Sequence, residues 1–222
     1  MVAPNGARPT KKDHPAVPVT ISETVETAKA CFKSGATGIH FHMRDEKGKH
    51  ILVSGLCKEA LTELQRQVPK MHLQVTTEAV GRYSPEEMRK LAYDVVPPGI
   101  SIGIREMIPS RQPTSDDIKV YKKLTESGTK IQHICYGPED VDLLSNLLDK
   151  AELSKTGTWC MFVIGHYSGK ISNPENISPF VERLKAHNMN ADWAVCAFAK
   201  EEVSCLKMAI KLGGKIRVGF EN

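Results

Sequence analysis

His40 and His42 stand two residues apart in the run Gly38-Ile39-His40-Phe41-His42-Met43-Arg44-Asp45. Side chains alternate along a β-strand, so the two imidazoles emerge on one side while Ile39, Phe41 and Met43 emerge on the other. Two neutral rings aimed at one point suit a divalent metal, whereas an isolated His-x-His is otherwise read as two satisfied core or surface histidines. The choice turns on what else reaches the same place, and therefore on the elements that carry it.

With 222 residues, 41% hydrophobic and 25% charged, the chain falls in the globular class and is long enough to bury a sizeable core. A net charge of +4 without any longer run than Lys11-Lys12 or Lys122-Lys123 argues against a nucleic-acid partner. A modest positive field suits an anionic substrate. The cysteines, Cys31, Cys57, Cys135, Cys160, Cys196 and Cys205, form no C-x-x-C pair and read as reduced, buried thiols. Nothing resembles a signal sequence or a membrane span, so a cytoplasmic location and no membrane partner are expected.

Apolar, β-rich runs recur at 38–43, 73–77, 100–104, 130–136, 158–164, 193–198 and 215–220, with a stub at Val2-Ala3-Pro4. Helical periodicity fills the gaps. Ile21, Val25, Ala28 and Phe32 share a face behind a Thr20/Glu23 capping box, and Leu56, Ala60, Leu64 and Val68 share another. Ser84-Pro85-Glu86-Glu87 opens a third helix with a cap, a proline in the first turn and acids at the positive end of the dipole. Later helices begin near Ser115, Pro138, Pro174 and Glu201, the one after Pro138 burying Val141, Leu144 and Leu148. This alternation predicts one domain over residues 1–222, a (β/α)8 TIM barrel. Such barrels typically run to about 250 residues. The expectation is therefore a barrel truncated at its N-terminal strand and lacking its last helix.

In a barrel of this kind the working groups gather at the C-terminal ends of the strands. That rule selects Asn5 and Arg8, then His40, His42 and Arg44, then Thr76, Thr77 and Glu78. It continues with Ser101, Arg105, Glu106, Tyr136, His166, Arg217, Glu221 and Asn222. His40, His42 and Glu221 are thus aimed at one mouth, and two histidines with one glutamate leave open positions on zinc. Arg44 with Asp45 also reads as a surface ion pair, and Glu78 and Glu106 as helix caps or partners of Arg82 and Arg105. His133 reads as core; His50, His72 and His187 read as solvent-facing. Arg217, four residues before Glu221 on the same strand, shares its face and needs an anionic partner when buried.

The opening Pro4-Asn5-Gly6-Ala7-Arg8, the His-x-His segment, the strand end Gln74-Val75-Thr76-Thr77 and the close from Gly213 to Glu221 together resemble the β-keto acid cleavage enzymes over the whole chain. The resemblance implies a zinc-dependent barrel, a homotetramer, that condenses a β-keto acid with acetyl-CoA and releases acetoacetate and a new acyl-CoA. It puts the zinc ligands on His40, His42 and Glu221, a catalytic arginine on Arg217, and substrate-contacting hydroxyls on Thr76 and Ser101. Arg8 stands where the type member, 3-keto-5-aminohexanoate cleavage enzyme, has an acid for its substrate's amino group, so an anionic far end is expected. Asn222 replaces an acid thought to serve as base, which leaves Glu106 or Glu78 for that task. The family also continues past the last zinc glutamate. The rival readings are a metal-dependent hydrolase on the same barrel, with His133 and His166 as further ligands, and a non-catalytic member of the family.

Overall fold

The computed structural model describes residues 1–166, 169 and 171–222. Seven parallel strands form one curled sheet in chain order: β1 (Gly38–Phe41), β2 (His72–Thr76), β3 (Gly99–Gly103), β4 (Lys130–Cys135), β5 (Trp159–Ile164), β6 (Asp192–Ala197) and β7 (Lys215–Ile216). The expected stub contributes a single bridge residue. Val2 pairs in parallel with Ile39 on one side and with Val218 on the other, so it links the two edges of the sheet.

Among the described residues, eight α-helices precede or link the strands: α1 (Ile21–Lys33), α2 (Ser54–Gln67), α3 (Pro85–Val95), α4 (Ile104–Met107), α5 (Ser115–Glu126), α6 (Glu139–Lys150), α7 (Ser178–Ala186) and α8 (Glu202–Lys211). Their starts are set by local chemistry. The Thr20 hydroxyl accepts the Glu23 N–H at 3.2 Å while the Glu23 carboxylate accepts the Thr20 N–H at 3.0 Å. Ser84 and Glu87 repeat this reciprocal cap on α3, and Thr114 with Asp117 builds a third on α5.

Three details depart from the sequence-based reading. The strand expected to run to Phe220 stops at Ile216, because Gly219 turns the chain with φ 146° and packs against the backbone of Ala3, where a side chain would collide. The strand expected to end at Ile104 ends at Gly103, and a single helical turn, α4, follows at once. On α1 Val25 and Ala28 are buried, but Phe32 is 37% exposed.

The main core lies between sheet and helices, where Phe41, Leu64, Ile100, Leu144 and Phe162 interdigitate. A smaller cluster of Ile134, Met161, Val163, Ala194 and Cys196 fills the inside of the curl. All six cysteines are free thiols, five of them buried. Among the described residues, no helix is long and apolar enough to cross a membrane. His133 is buried as expected, its Nδ1 3.0 Å from the Trp159 carbonyl and its ring stacked on Tyr121.

Burial pulls the His133 imidazole down to about 4, so the folded protein holds it neutral. Below about pH 6.5 the unfolded chain takes up a proton that the native chain refuses until pH 4. Stability is therefore complete above that window and falls within it, by about 1.4 kcal/mol per pH unit from this residue. Denaturant titrations between pH 4 and pH 7 should show that slope reduced by the same amount in His133→Gln.

Candidate metal centre

His40 is the third residue of β1 with its ring inward, and His42, just past the strand end, follows on the same side; both are 2% exposed or less. The carboxamide Oε1 of Gln74, on the adjacent β2, lies 2.7 Å from His40 Nδ1. An amide oxygen only accepts, so His40 carries its proton on Nδ1 and turns the Nε2 lone pair inward. His42 Nδ1 faces Glu78 Oε2 at 3.6 Å, and its Nε2 lies 3.0 Å from His40 Nε2.

Glu221 completes the cluster. Its Oε2 lies 3.2 Å from His40 Nε2 and 3.5 Å from His42 Nε2. Its Oε1 accepts from Arg217 Nη2 at 3.0 Å. Burial alone would raise this carboxyl, but Arg217, then His40 and His42, hold it well below the usual carboxylate range. Burial pushes the His42 imidazole down to about 3, with Glu221 only partly opposing. The cluster thus sets the His42 ring, kept neutral by burial, and the His40 ring beside one carboxylate.

Three electron-rich atoms therefore face one another across 3.0, 3.2 and 3.5 Å. A proton on His42 Nε2 serves its contacts with His40 and Glu221 and leaves the His40 Nε2–Glu221 Oε2 contact with lone pairs opposed. A tetrahedral ion with bonds of about 2.0–2.1 Å separates its ligands by about 3.3 Å, so the spacing and the donor set both fit a divalent cation. His40, His42 and Glu221 are the residues able to hold it.

The cluster depends on the chain's opening loop. Asn5, fully buried, donates to the His42 carbonyl at 2.9 Å and accepts the His42 N–H at 3.1 Å. Arg44 donates to the carbonyls of Asn5, Gly6 and Pro9. It is buried rather than paired with Asp45, whose carboxylate instead accepts the N–H groups of Lys47 and Lys49. Gly6, with φ +58°, lies under Glu221, whose Cγ would stand 2.7 Å from a Cβ at that position.

Around the cluster, Arg8, Thr76, Glu78, Glu106, Tyr136 and Arg217 line a cleft of about 50 Å³. Arg8 Nη1 pairs with Glu78 Oε1 at 3.1 Å, and Glu106 accepts the Ala79 N–H at 3.3 Å. Neither glutamate takes the partner expected of it: Arg82 goes to the His50 carbonyl and Tyr83, Arg105 to Glu139 and Asp140. Burial, then Glu221 and Glu106, raise the Glu78 carboxyl to about 7, against the pull of Arg8. Burial also raises Glu106.

Thr76 Oγ1 accepts the Glu78 N–H at 3.0 Å, and Ser101, in register with Thr76 on β3, is 1% exposed. His50 is buried, not solvent-facing: its ring stands edge-on to His42 with centroids 4.9 Å apart, and Nε2 lies 3.0 Å from the Glu78 carbonyl. His72 is half-buried against Trp159, and His187 is half-buried in a pair with Asp142. Neither His133 nor His166 belongs to the metal-ligating cluster. Gln74 entered the sequence reading as part of the strand-end motif but was given no role, although its place two residues before Thr76 puts it on the same inner face.

A curled parallel α/β sheet carrying a two-histidine, one-glutamate cluster at its C-terminal rim defines the class. The family model for the beta-keto acid cleavage enzyme matches residues 1–222, and the chain belongs to that family. It is 25% identical over 227 residues to 3-oxoadipate:acetyl-CoA acetyltransferase of Cupriavidus necator, covering all of this chain and 78% of the relative. It is 24% identical over 221 residues to 3-keto-5-aminohexanoate cleavage enzyme of Acetoanaerobium sticklandii, covering 98% and 80%. Among solved structures, ObcA in complex with oxaloacetate superimposes with a TM-score of 0.73 at 16% identity, covering 93% of this chain. The chain spans 57% of the length of that structure.

Gly6→Ala should lower unfolding stability by about 1–3 kcal/mol, since both the left-handed backbone and the Glu221 side chain must give way. A crystal structure of the variant should show the carboxylate displaced from His40; an unmoved Glu221 would contradict the role given to Gly6.

Proposed function

We propose that the chain is a zinc-dependent β-keto acid cleavage enzyme that joins a β-keto acid to acetyl-CoA and releases acetoacetate and a new acyl-CoA. The observation that carries this reading is the convergence of His40 Nε2, His42 Nε2 and Glu221 Oε2 within 3.5 Å of one another in a member of this family. Supporting it are the activities in the relatives' names, each pairing a keto acid with acetyl-CoA or describing its cleavage. On this reading the fold is a (β/α)8 barrel with Val2 as the remnant of its first strand, and the resemblance supports a cytoplasmic homotetramer.

Bound by these three residues, a zinc ion would polarise the keto carbonyl that the carbon nucleophile of acetyl-CoA attacks. The chain's own residues do the rest. Arg217 holds Glu221 ionised and in place. The Thr76 hydroxyl, already accepting from the Glu78 N–H, keeps its proton to donate to a substrate oxygen, and Ser101 lies beside it in register. The amide of Asn222 cannot take a proton, so the carboxylates lining the cleft, Glu78 and Glu106, stand as the acceptors. Arg8, 45% exposed at the side chain, exchanges Glu78 for the anionic far end of the substrate.

Purified chain should hold one zinc per subunit by elemental analysis and form acetoacetate from acetyl-CoA and a β-keto dicarboxylate. His42→Ala should lose the metal and at least about 100-fold in kcat/KM. Arg8→Glu should shift preference toward an aminated β-keto acid. A metal-free chain that still turns over, or a wild type that prefers the amine, would refute the reading.

A further inference from the structure

At the opposite end of the sheet, where the strands begin, lies a cavity of about 640 Å³, far larger than the cleft beside the metal cluster. Alternation along β4 puts Lys130, Gln132 and Ile134 on one face, and Ile134 packs against Met161 inside the curl, so Gln132 and Lys130 also face inward. Gln132 is 1% exposed, and neither its Oε1 nor its Nε2 has a hydrogen-bond partner among the described residues. His72 Nε2, from the start of β2, is in the same position. A buried primary amide with both functions unmade is costly, and such groups are normally met by something that supplies a donor and an acceptor together.

The mouth above Gln132 is basic. Lys215 is paired with Asp192, whereas Lys130 has no ion pair among the described residues, and the terminal amine of Met1, donating to the Ile216 carbonyl, lines the same space. Trp159, in register with Gln132 on β5, forms a flat wall, with the His72 ring edge-on at 5.1 Å. Amide, cation and indole face thus line one space from two neighbouring strands, β4 and β5. No residue of the metal cluster lines it.

We propose that this N-terminal mouth is a second ligand site, taking a small planar organic anion whose uncharged edge carries a hydrogen-bond donor beside an acceptor. The edge pairs with the Gln132 amide, the ring lies along Trp159, and the anionic group meets Lys130. The site is independent of the metal cluster and of the activity assigned to it.

Orotate has a carboxylate, a flat ring and an imide edge, and serves as the probe; uracil keeps the edge without the charge, and benzoate keeps the charge without the edge. Titrations of the full chain, followed by indole fluorescence and calorimetry, should show orotate binding about tenfold more tightly than either. Lys130→Met should weaken orotate and benzoate by about fivefold and spare uracil, while Gln132→Met should weaken orotate and uracil and spare benzoate. His42→Ala should leave orotate affinity unchanged. Binding of no probe at 10 mM, on the order of the weakest useful affinity, would mean a water-filled cavity and overturn the proposal. So would orotate binding that vanishes with His42→Ala and ignores Lys130→Met, the latter an exposed substitution that leaves the core untouched.

Discussion

Convergence of two ring nitrogens and a carboxylate oxygen on one point is the constraint that the rest of this structure serves. His40 Nε2, His42 Nε2 and Glu221 Oε2 are held within 3.5 Å of one another in a region almost closed to water. Two imidazoles and a carboxylate do not gather this way unaided. Each is fixed from behind: His40 by Gln74, His42 by the paired hydrogen bonds of Asn5 to its backbone, and Glu221 by the guanidinium of Arg217. The convergence is built by surrounding groups that contribute nothing to the cluster itself, as outer partners do at metal sites.

That support explains why both ends of the described chain meet at the site. Glu221 reaches His40 only because the chain leaves β7 after two residues, turns at Gly219 against Ala3, and donates the Glu221 N–H to the Ala3 carbonyl at 3.3 Å. The opening loop must in turn be bare under the carboxylate, which Gly6 supplies. Arg44 holds that loop down with hydrogen bonds to three of its carbonyls. A longer final strand would carry residue 221 along the strand direction and away from the rings.

Most of what rests on local periodicity was legible in the sequence, with Phe32 on α1 an exception. The Thr20 capping box, the Ser84 cap and the inward aim of His40 and His42 follow from spacing alone. Glu221 was legible because strand ends converge in this topology and because the closing motif resembles a known family. Features fixed by contacts distant in sequence were hidden. No periodicity marks His50 as buried beside His42, since its place depends on the chain after β1 folding back so that His50 bridges Arg44. Arg44 beside Asp45 suggests a surface pair until the opening loop arrives with its carbonyls. The shortening of the last strand depends on Ala3, some two hundred residues away.

The electrostatics of the cleft follow from the same arrangement. Three carboxylates, Glu78, Glu106 and Glu221, face two guanidiniums, Arg8 and Arg217, so the unliganded mouth is at most weakly negative. Burial raises Glu78 and Glu106 and reduces even that. A divalent cation on the cluster would reverse the sign and make the mouth attractive to an anion, with Arg8 at its outer edge as a second point of attachment. Metal occupancy and affinity for a β-keto acid are then one electrostatic property. A carboxylate substrate would find little to hold it in the apo cleft, and a cationic one would meet Arg8 first.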